Sequence, residues 1–319
     1  MSRVRALGSS GLSTPPLVFG GNVFGWTIDT EQSCAMLDAF VDQGGKMIDT
    51  ADIYAAFVPG KQGGESECAI GEWLERSGRR NDVLIASKVG LMDGPGGSGL
   101  QGSRIAAAVD ESLRRLRTDV IDLYFAHQDD PDTPLEETLD AFDRLIKAGK
   151  VRAIGASNYS AARLAEALRI SDANGLARFT VLQPQYNLLE REAFEGPLQQ
   201  LCLAENLGAI PYSALASGYL TGKYRDAADS GKSPRGKGAM RYMQGRGPTV
   251  LATMDEIAAE TGASLAAIAL AWLATRPAVV APIASATSHA QLAELIAGMN
   301  LELSLDQVAE LDRAADAAA

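Results

Sequence analysis

The sequence predicts an α/β protein built as a closed (β/α)8 TIM barrel, with an N-terminal β-hairpin and extra C-terminal helices. Three observations lead there. Eight short apolar runs recur along 319 residues, and runs without polar alternation belong to strands buried on both faces, as in a parallel sheet. Segments with apolar residues three and four apart separate them, so strand and helix alternate along the chain. Eight such units match a closed barrel better than an open doubly wound sheet, whose usual strand number is about five or six.

In chain order, strands are expected at 17–21, 46–49, 83–87, 120–125, 152–156, 180–183, 209–212 and 279–282, with helices at 31–43, 104–117, 135–148, 161–174 and 198–206. Ahead of the first strand, 4–7 and 12–17 flank the turn Gly8-Ser9-Ser10-Gly11, a hairpin placed to plug the barrel's lower end. Beyond the last strand, 288–299 and 304–317 read as two more helices. The second has Ser304 as N-cap and Leu305, Val308 and Leu311 on one stripe. Segments 55–64 and 223–248 are long for connections in a compact domain and are expected as loops over the working rim. No linker divides the chain, so residues 1–319 are expected to form one domain. A Rossmann sheet is disfavoured because Gly20-Gly21-Asn22-Val23-Phe24-Gly25 lacks the dinucleotide glycine fingerprint.

A net charge of -11 argues against binding nucleic acid or an anionic membrane. An anionic ligand would therefore need a short-range pocket of cations or backbone N–H groups, for which Lys223 and Arg235 are candidates. The chain has no apolar leader after Met1 and no uninterrupted apolar stretch of membrane-spanning length, so a cytoplasmic protein is expected. Cys34, Cys68 and Cys202 are odd in number and far apart, which suits reduced core thiols better than disulfides. With only His127 and His289 present, a His-rich metal centre is excluded and no metal is expected.

The chemistry concentrates at strand ends. Asp49, Lys88 and His127 each close an apolar run, and Tyr54 follows the first of these runs within five residues. If the runs are neighbouring barrel strands, all four converge on the rim where such barrels carry their sites. Tyrosine, with a pKa of about 10, acts as an acid near neutrality only beside a cation that stabilises its phenolate. Lys88 can supply that cation and Asp49 can hold it. His127 can donate to a substrate oxygen. The set suits protonation of a carbonyl oxygen during hydride transfer, or the reverse reaction of an alcohol. Taken singly, each has a structural alternative: a buried ion pair, an anchored tyrosine, a satisfied core histidine.

These residues and several further motifs resemble the aldo-keto reductase family over essentially the whole chain. The resemblance implies a catalytic tetrad of Asp49, Tyr54, Lys88 and His127, with Tyr54 as general acid/base and Lys88 lowering its pKa. It implies a nicotinamide dinucleotide, NADPH/NADP+ before NADH/NAD+. Gly155-Ala156-Ser157-Asn158 and Gln183 match residues that bond the carboxamide, and Tyr212 in Pro211-Tyr212-Ser213 matches the tyrosine stacked on the nicotinamide ring. Leu215 to Tyr224, with Gly218 and Lys223, resembles the pyrophosphate clasp, joined by Arg235. Ile283, Ser285, Thr287, Gln291 and Glu294 match the adenosine end, and Gly21, Asn22 and Val23 complete the contacts. The chain departs from the pattern at Thr287 and Gln291, neutral where NADPH-committed members often carry Arg or Lys, and at Leu295, which replaces an asparagine. The loop after Tyr54 is longer than usual. With Val23, Phe24 and Trp26 it implies an apolar mouth for a bulky or ring-containing carbonyl or alcohol. The implied partner is that small-molecule substrate; oligomeric state has no signature here. A second function fits the same family: a nucleotide-bound regulatory or redox-sensing subunit resembling potassium-channel beta subunits.

Overall fold

The computed structural model describes residues 4–316; the outer ends of the expected 1–319 domain and the last residue of the helix expected at 304–317 lie outside the described residues. An antiparallel pair, β1 (Arg5–Ala6) and β2 (Ser13–Thr14), precedes eight parallel strands. These are β3 (Val18–Gly20), β4 (Met47–Asp49), β5 (Leu84–Val89), β6 (Ile121–Ala126), β7 (Val151–Ser157), β8 (Phe179–Gln183), β9 (Gly208–Ala209) and β10 (Ile283–Ala284). Their spatial order is β10-β3-β4-β5-β6-β7-β8-β9. The segment just before β10 shuts the remaining gap: Ala209 N donates to Ala278 O, Val280 N to Ala209 O and Ile283 N to Pro211 O, each at 2.8 Å. The fold is a (β/α)8 barrel.

Around it lie α1 (Thr30–Asp42), α2 (Glu65–Ser77), α3 (Gly102–Leu116), α4 (Leu135–Lys147), α5 (Ala161–Asn174), α6 (Pro197–Ala204), α7 (Gly236–Ala239), α8 (Gly247–Thr261), α9 (Leu265–Thr275), α10 (His289–Asn300) and α11 (Leu305–Asp316). Local chemistry sets several starts. Asp29 and Gln32 form a reciprocal capping box on α1, and the Ser160, Ser264, Ser288 and Ser304 hydroxyls accept from the first turns of α5, α9, α10 and α11. Among the described residues no single helix is long and apolar enough to cross a membrane.

Strand periodicity divides the core in two. Met47, Leu84, Ala86, Leu123, Phe125, Ala153 and Val181 point inward and form one apolar cluster, whereas Ile48, Ile85, Tyr124, Ile154 and Leu182 face the helices. Leu7 and Leu12 of the hairpin belong to the inner cluster, and Gly8 sits against the Thr180 and Asn206 carbonyls near the starts of β8 and β9. The hairpin therefore stops the lower end. Phe125 fills the barrel centre, where a Cβ on Gly155 would strike its ring.

Four expectations need correction. The eighth strand lies at Ile283–Ala284 rather than 279–282, because Val279 and Val280 bond to Ala209 and close the barrel before β10 pairs with β3. Segment 223–248 is not one loop; it carries 3-10 turns at Ala227–Lys232 and Met240–Met243 around α7. Leu305 is 89% exposed while Leu311 is fully buried, since a side chain at the helix start projects beyond the surface the later turns cover. Cys68 is exposed, unlike the buried Cys34 and Cys202; all three are free.

Candidate active site

The same period of two that buries Met47, Leu84, Leu123, Ala153 and Val181 inside the barrel turns Asp49, Lys88, Ser157 and Gln183 inward at its upper end. Register places them side by side: Asp49 opposes Ala86, Lys88 opposes Phe125, and Ser157 opposes Gln183. His127 follows β6, its backbone N–H bonded to Val89 O. Tyr54 comes from the turn after β4 and is followed by Ala55 at φ 75°, a left-handed conformation costly for a residue with a Cβ.

The four expected catalytic side chains meet. Lys88 is wholly buried, and its Nζ donates to Asp49 Oδ2 at 2.8 Å, to Thr50 O at 2.7 Å and to Tyr54 Oη at 3.0 Å. Tyr54 Oη is also 3.2 Å from Asp49 Oδ2. Gln183 Nε2 donates to the other Asp49 oxygen at 2.8 Å, so the carboxylate is held from both sides. The His127 ring stands edge-on to Tyr54, centroids 6.2 Å apart.

Burial dominates the electrostatics. It pushes the Tyr54 phenol well above its ordinary range, and the Asp49 charge and hydrogen bond push the same way. In the resting site the Lys88 ammonium is tied to Asp49, whose carboxylate stands 3.2 Å from the phenol, beside the ammonium at 3.0 Å. Burial also pushes the Lys88 amine down, against Asp49. His127 is driven well below its usual value by burial and then by the Lys88 charge, so it is a neutral imidazole.

Above this cluster opens a cleft of about 1100 Å³ lined by Asp49, Tyr54 and His127. Asn158 Nδ2 donates to His127 O at 2.9 Å, and Tyr212 Oη donates to Asn158 Oδ1 at 2.7 Å; Ser157 Oγ bonds Gln183 O. Ser157, Asn158, Gln183, Tyr212, Ser213, Leu215, Gly218, Lys223, Arg235, Ile283, Ser285, Thr287, Gln291, Glu294, Asn22 and Val23 all line the cleft, and Ser285 Oγ donates to Asn22 Oδ1 at 2.7 Å. Gly21 is the exception. It lies under the rim, its carbonyl accepting from Ser66, while Gly20 lines the cleft. Phe24 is buried in the core and not at the mouth; Trp26 lines the cleft, with Phe57 edge-on at 5.0 Å.

The cleft fits a long anionic cofactor. In an acidic protein it gathers Lys223, Lys232 and Arg235, and Arg235 Nη2 is buried without a protein partner, a polar atom that an anion would satisfy. Three site features were not singled out from sequence: the Thr50 carbonyl that accepts from Lys88, Ser66 beneath Gly21, and the buried acid Asp52. A backbone carbonyl carries no sequence signal; Asp52 stands in the turn past β4 and Ser66 in the first turn of α2, where period-two reasoning ends.

A barrel whose upper rim joins tyrosine, lysine, aspartate and histidine under a nucleotide-sized cleft defines an oxidoreductase of the nicotinamide-dependent kind. The chain belongs to the aldo/keto reductase family, whose model matches residues 16–316. It is an NAD(P)H-dependent oxidoreductase acting on a small molecule. It is 34% identical over 90% of its length to a probable voltage-gated potassium channel subunit beta of Oryza sativa subsp. japonica, covering 88% of that protein. It is 32% identical over 95% of its length to the protein tas of Escherichia coli K12, covering 94% of it. Norsolorinic acid reductase stcV of Emericella nidulans is also 32% identical, over 95% of this chain and 79% of that protein.

Proposed function

We propose that this enzyme interconverts an aldehyde or ketone and the corresponding alcohol, with Tyr54 as general acid/base and NADPH/NADP+ as its preferred cofactor. The observation carrying this reading is Tyr54 Oη, on the wall of the cleft, 3.0 Å from a buried lysine that Asp49 anchors. Bound in the cleft, the nicotinamide supplies or accepts the hydride. During reduction Tyr54 gives its proton to the substrate oxygen as negative charge builds there. Lys88 then faces the resulting phenolate and neutralises it, and Asp49, gripped by Gln183, keeps the ammonium from drifting. Because the resting phenol is held above its usual range, the proton stays until a developing oxyanion takes it. His127, neutral, presents an N–H to the same oxygen. Run backwards, the phenolate is the base for an alcohol.

Ser157, Asn158 and Gln183 offer amide and hydroxyl groups to a carboxamide, Tyr212 a ring face, and Lys223 and Arg235 charge to a diphosphate. Thr287 N and Oγ1 both donate to Gln291 Oε1, at 2.8 and 3.0 Å. Thr287 and Gln291 carry no charge, but backbone N–H groups with Ser285, Thr287 and Gln291 can still hold a 2′-phosphate, so NADPH stays ahead of NADH by a modest margin. The Trp26 and Phe57 rings near the mouth favour a bulky or ring-containing substrate.

Tyr54→Phe is expected to remove at least 100-fold of kcat while leaving NADPH affinity, read by protein fluorescence, within about twofold. Unchanged turnover would refute the assignment. The relatives named as channel beta subunits support a second reading, a nucleotide-bound regulatory subunit. Slow cofactor release with negligible turnover across a panel of carbonyls and alcohols would favour it.

A further inference from the structure

Behind the tyrosine and lysine, away from the cleft, lies a second set of buried ionisable groups that the reaction does not touch. Asp52 is 2% exposed, three residues past Asp49, and its backbone N–H points to Lys88 O at 3.4 Å. Neither of its carboxyl oxygens makes a well-formed hydrogen bond, and the Ile53 backbone N–H offers only a weak one. The nearest cation, Arg104 Nη2, stands 3.7 Å away. That guanidinium spends its other nitrogens on Met92 O, Pro95 O and Glu111. Glu67 is equally buried, yet bonds Ser87 Oγ at 2.5 Å and Arg115 Nε at 2.7 Å. Charged and titratable groups face Asp52 from every neighbouring element: Glu67 from α2, Arg104 and Arg115 from α3, Lys88 from β5 and Tyr124 from β6. The Tyr124 hydroxyl is also buried, with only a weak contact from the Ser112 hydroxyl.

We propose that Asp52, set among Glu67, Arg104, Arg115 and Tyr124, is a proton-responsive positioning residue that tunes the charge environment of Lys88 and through it the acid strength of Tyr54. This rests on the proposed role of Tyr54. A buried carboxylate without well-formed hydrogen bonds is costly, and the Arg104 guanidinium at 3.7 Å is too far to close the pair with a hydrogen bond. Burial first, and Glu67 second, push its carboxyl up to about 7, with Arg104 and Arg115 opposing. Its charge and that of Glu67 add to Asp49 in favouring the Lys88 ammonium. Ionising Asp52 therefore puts a negative charge behind the lysine, which makes the site a weaker proton donor and a stronger base. Carbonyl reduction should decline, and alcohol oxidation gain, as the pH rises through neutrality.

The test begins on the cofactor-free full chain carrying aspartate labelled with carbon-13 at the side-chain carboxyl, titrated by NMR. One aspartate resonance is expected to move between about pH 5.5 and 8.5 and to be missing in Asp52→Asn. Glu67→Gln removes a like charge, so the midpoint should fall by about one pH unit. The pH profile of kcat for reduction should show an inflection at the wild-type midpoint that Asp52→Asn loses, a change that a purely structural role would not produce. No aspartate titrating in that window, an unmoved midpoint in Glu67→Gln, or an inflection persisting in Asp52→Asn would each overturn the proposal. Should Asp52→Asn fail to fold, the wild-type and Glu67→Gln titrations decide the matter. The NMR measurement needs no substrate, so it stays readable even if Tyr54→Phe refutes the reaction itself.

Discussion

Lys88 has no route to water, and its three N–H bonds go to Asp49, to the Thr50 carbonyl and to Tyr54. Replacing it with methionine keeps the length but leaves Asp49 as a buried charge held only by Gln183 and Tyr54. Breaking one side of such a pair costs about 3–5 kcal/mol, so Lys88→Met should lower the denaturant midpoint markedly as well as abolish turnover; a stable, inactive variant would show that the pair contributes no stability. Asp52 gives the opposite sign. Its folded-state pKa, about 7, lies above the 3.8 of a free aspartate side chain, so between those values the native state binds more protons than the unfolded chain. Stability is then full below about pH 4, falls by roughly 4 kcal/mol, for a displacement of this size, as pH rises towards about 7, and levels off above it. Asp52→Asn should therefore raise Tm at pH 8 and change it much less near pH 4; equal effects at both would contradict the displacement. The two aspartates also mark what could be read from sequence. Asp49 ends a strand, so its inward direction follows from alternation; Asp52 sits past the strand in a turn, and Glu67 and Arg104 lie on helices, where a charge ordinarily reads as a solvated face.

At the scale of elements, legibility followed pattern strength. Helices α3 and α4 were placed because their apolar residues form one stripe, Ile105, Ala108, Val109 and Leu116 in the first and Leu135, Leu139, Phe142 and Leu145 in the second. Helix α9 was not delimited, because it is buried almost all round from Ala266 to Leu273 and so has no polar face to give a period. The β10 shift has a similar cause: 279–284 is apolar throughout, and only its hydrogen bonds divide closure at Val279 and Val280 from the strand at Ile283. Helix α2 was hidden by Ser66, Glu67 and Gly71, all buried. Gly71 has a packing reason to be there, since a Cβ at that position would run into the Arg115 carbonyl oxygen at the end of α3. Gly71→Ala should therefore destabilise by about 1–3 kcal/mol through overpacking, despite the better helix propensity of alanine. A neutral or stabilising result in urea unfolding would mean that α2 and α3 separate freely.

For the whole molecule, the barrel separates its two ends. The upper rim collects side chains from β4, β5, β7 and β8 and the residues after β6, β9 and β10, while the lower end is closed by a hairpin that contributes nothing to the cleft. Leu7 and Leu12, 0% and 5% exposed, sit with Val18, Met47 and Leu84 inside the strands, and their burial depends on strands far apart in sequence having already closed. Truncating Leu7 to alanine removes buried methyl groups and leaves a void that the rigid inner faces cannot collapse to fill, at a cost of about 2–4 kcal/mol. That loss should appear as earlier unfolding in urea, with an unchanged slope, while affinity for NADPH and kcat stay within about twofold, because no residue of the plug lines the cleft. If Leu7→Ala instead weakened cofactor binding as strongly as it weakened the fold, the two ends would be coupled through the inner layer of Phe125 and Gly155. The barrel would then have to be treated as one deformable body rather than as a rigid frame with a site at one end.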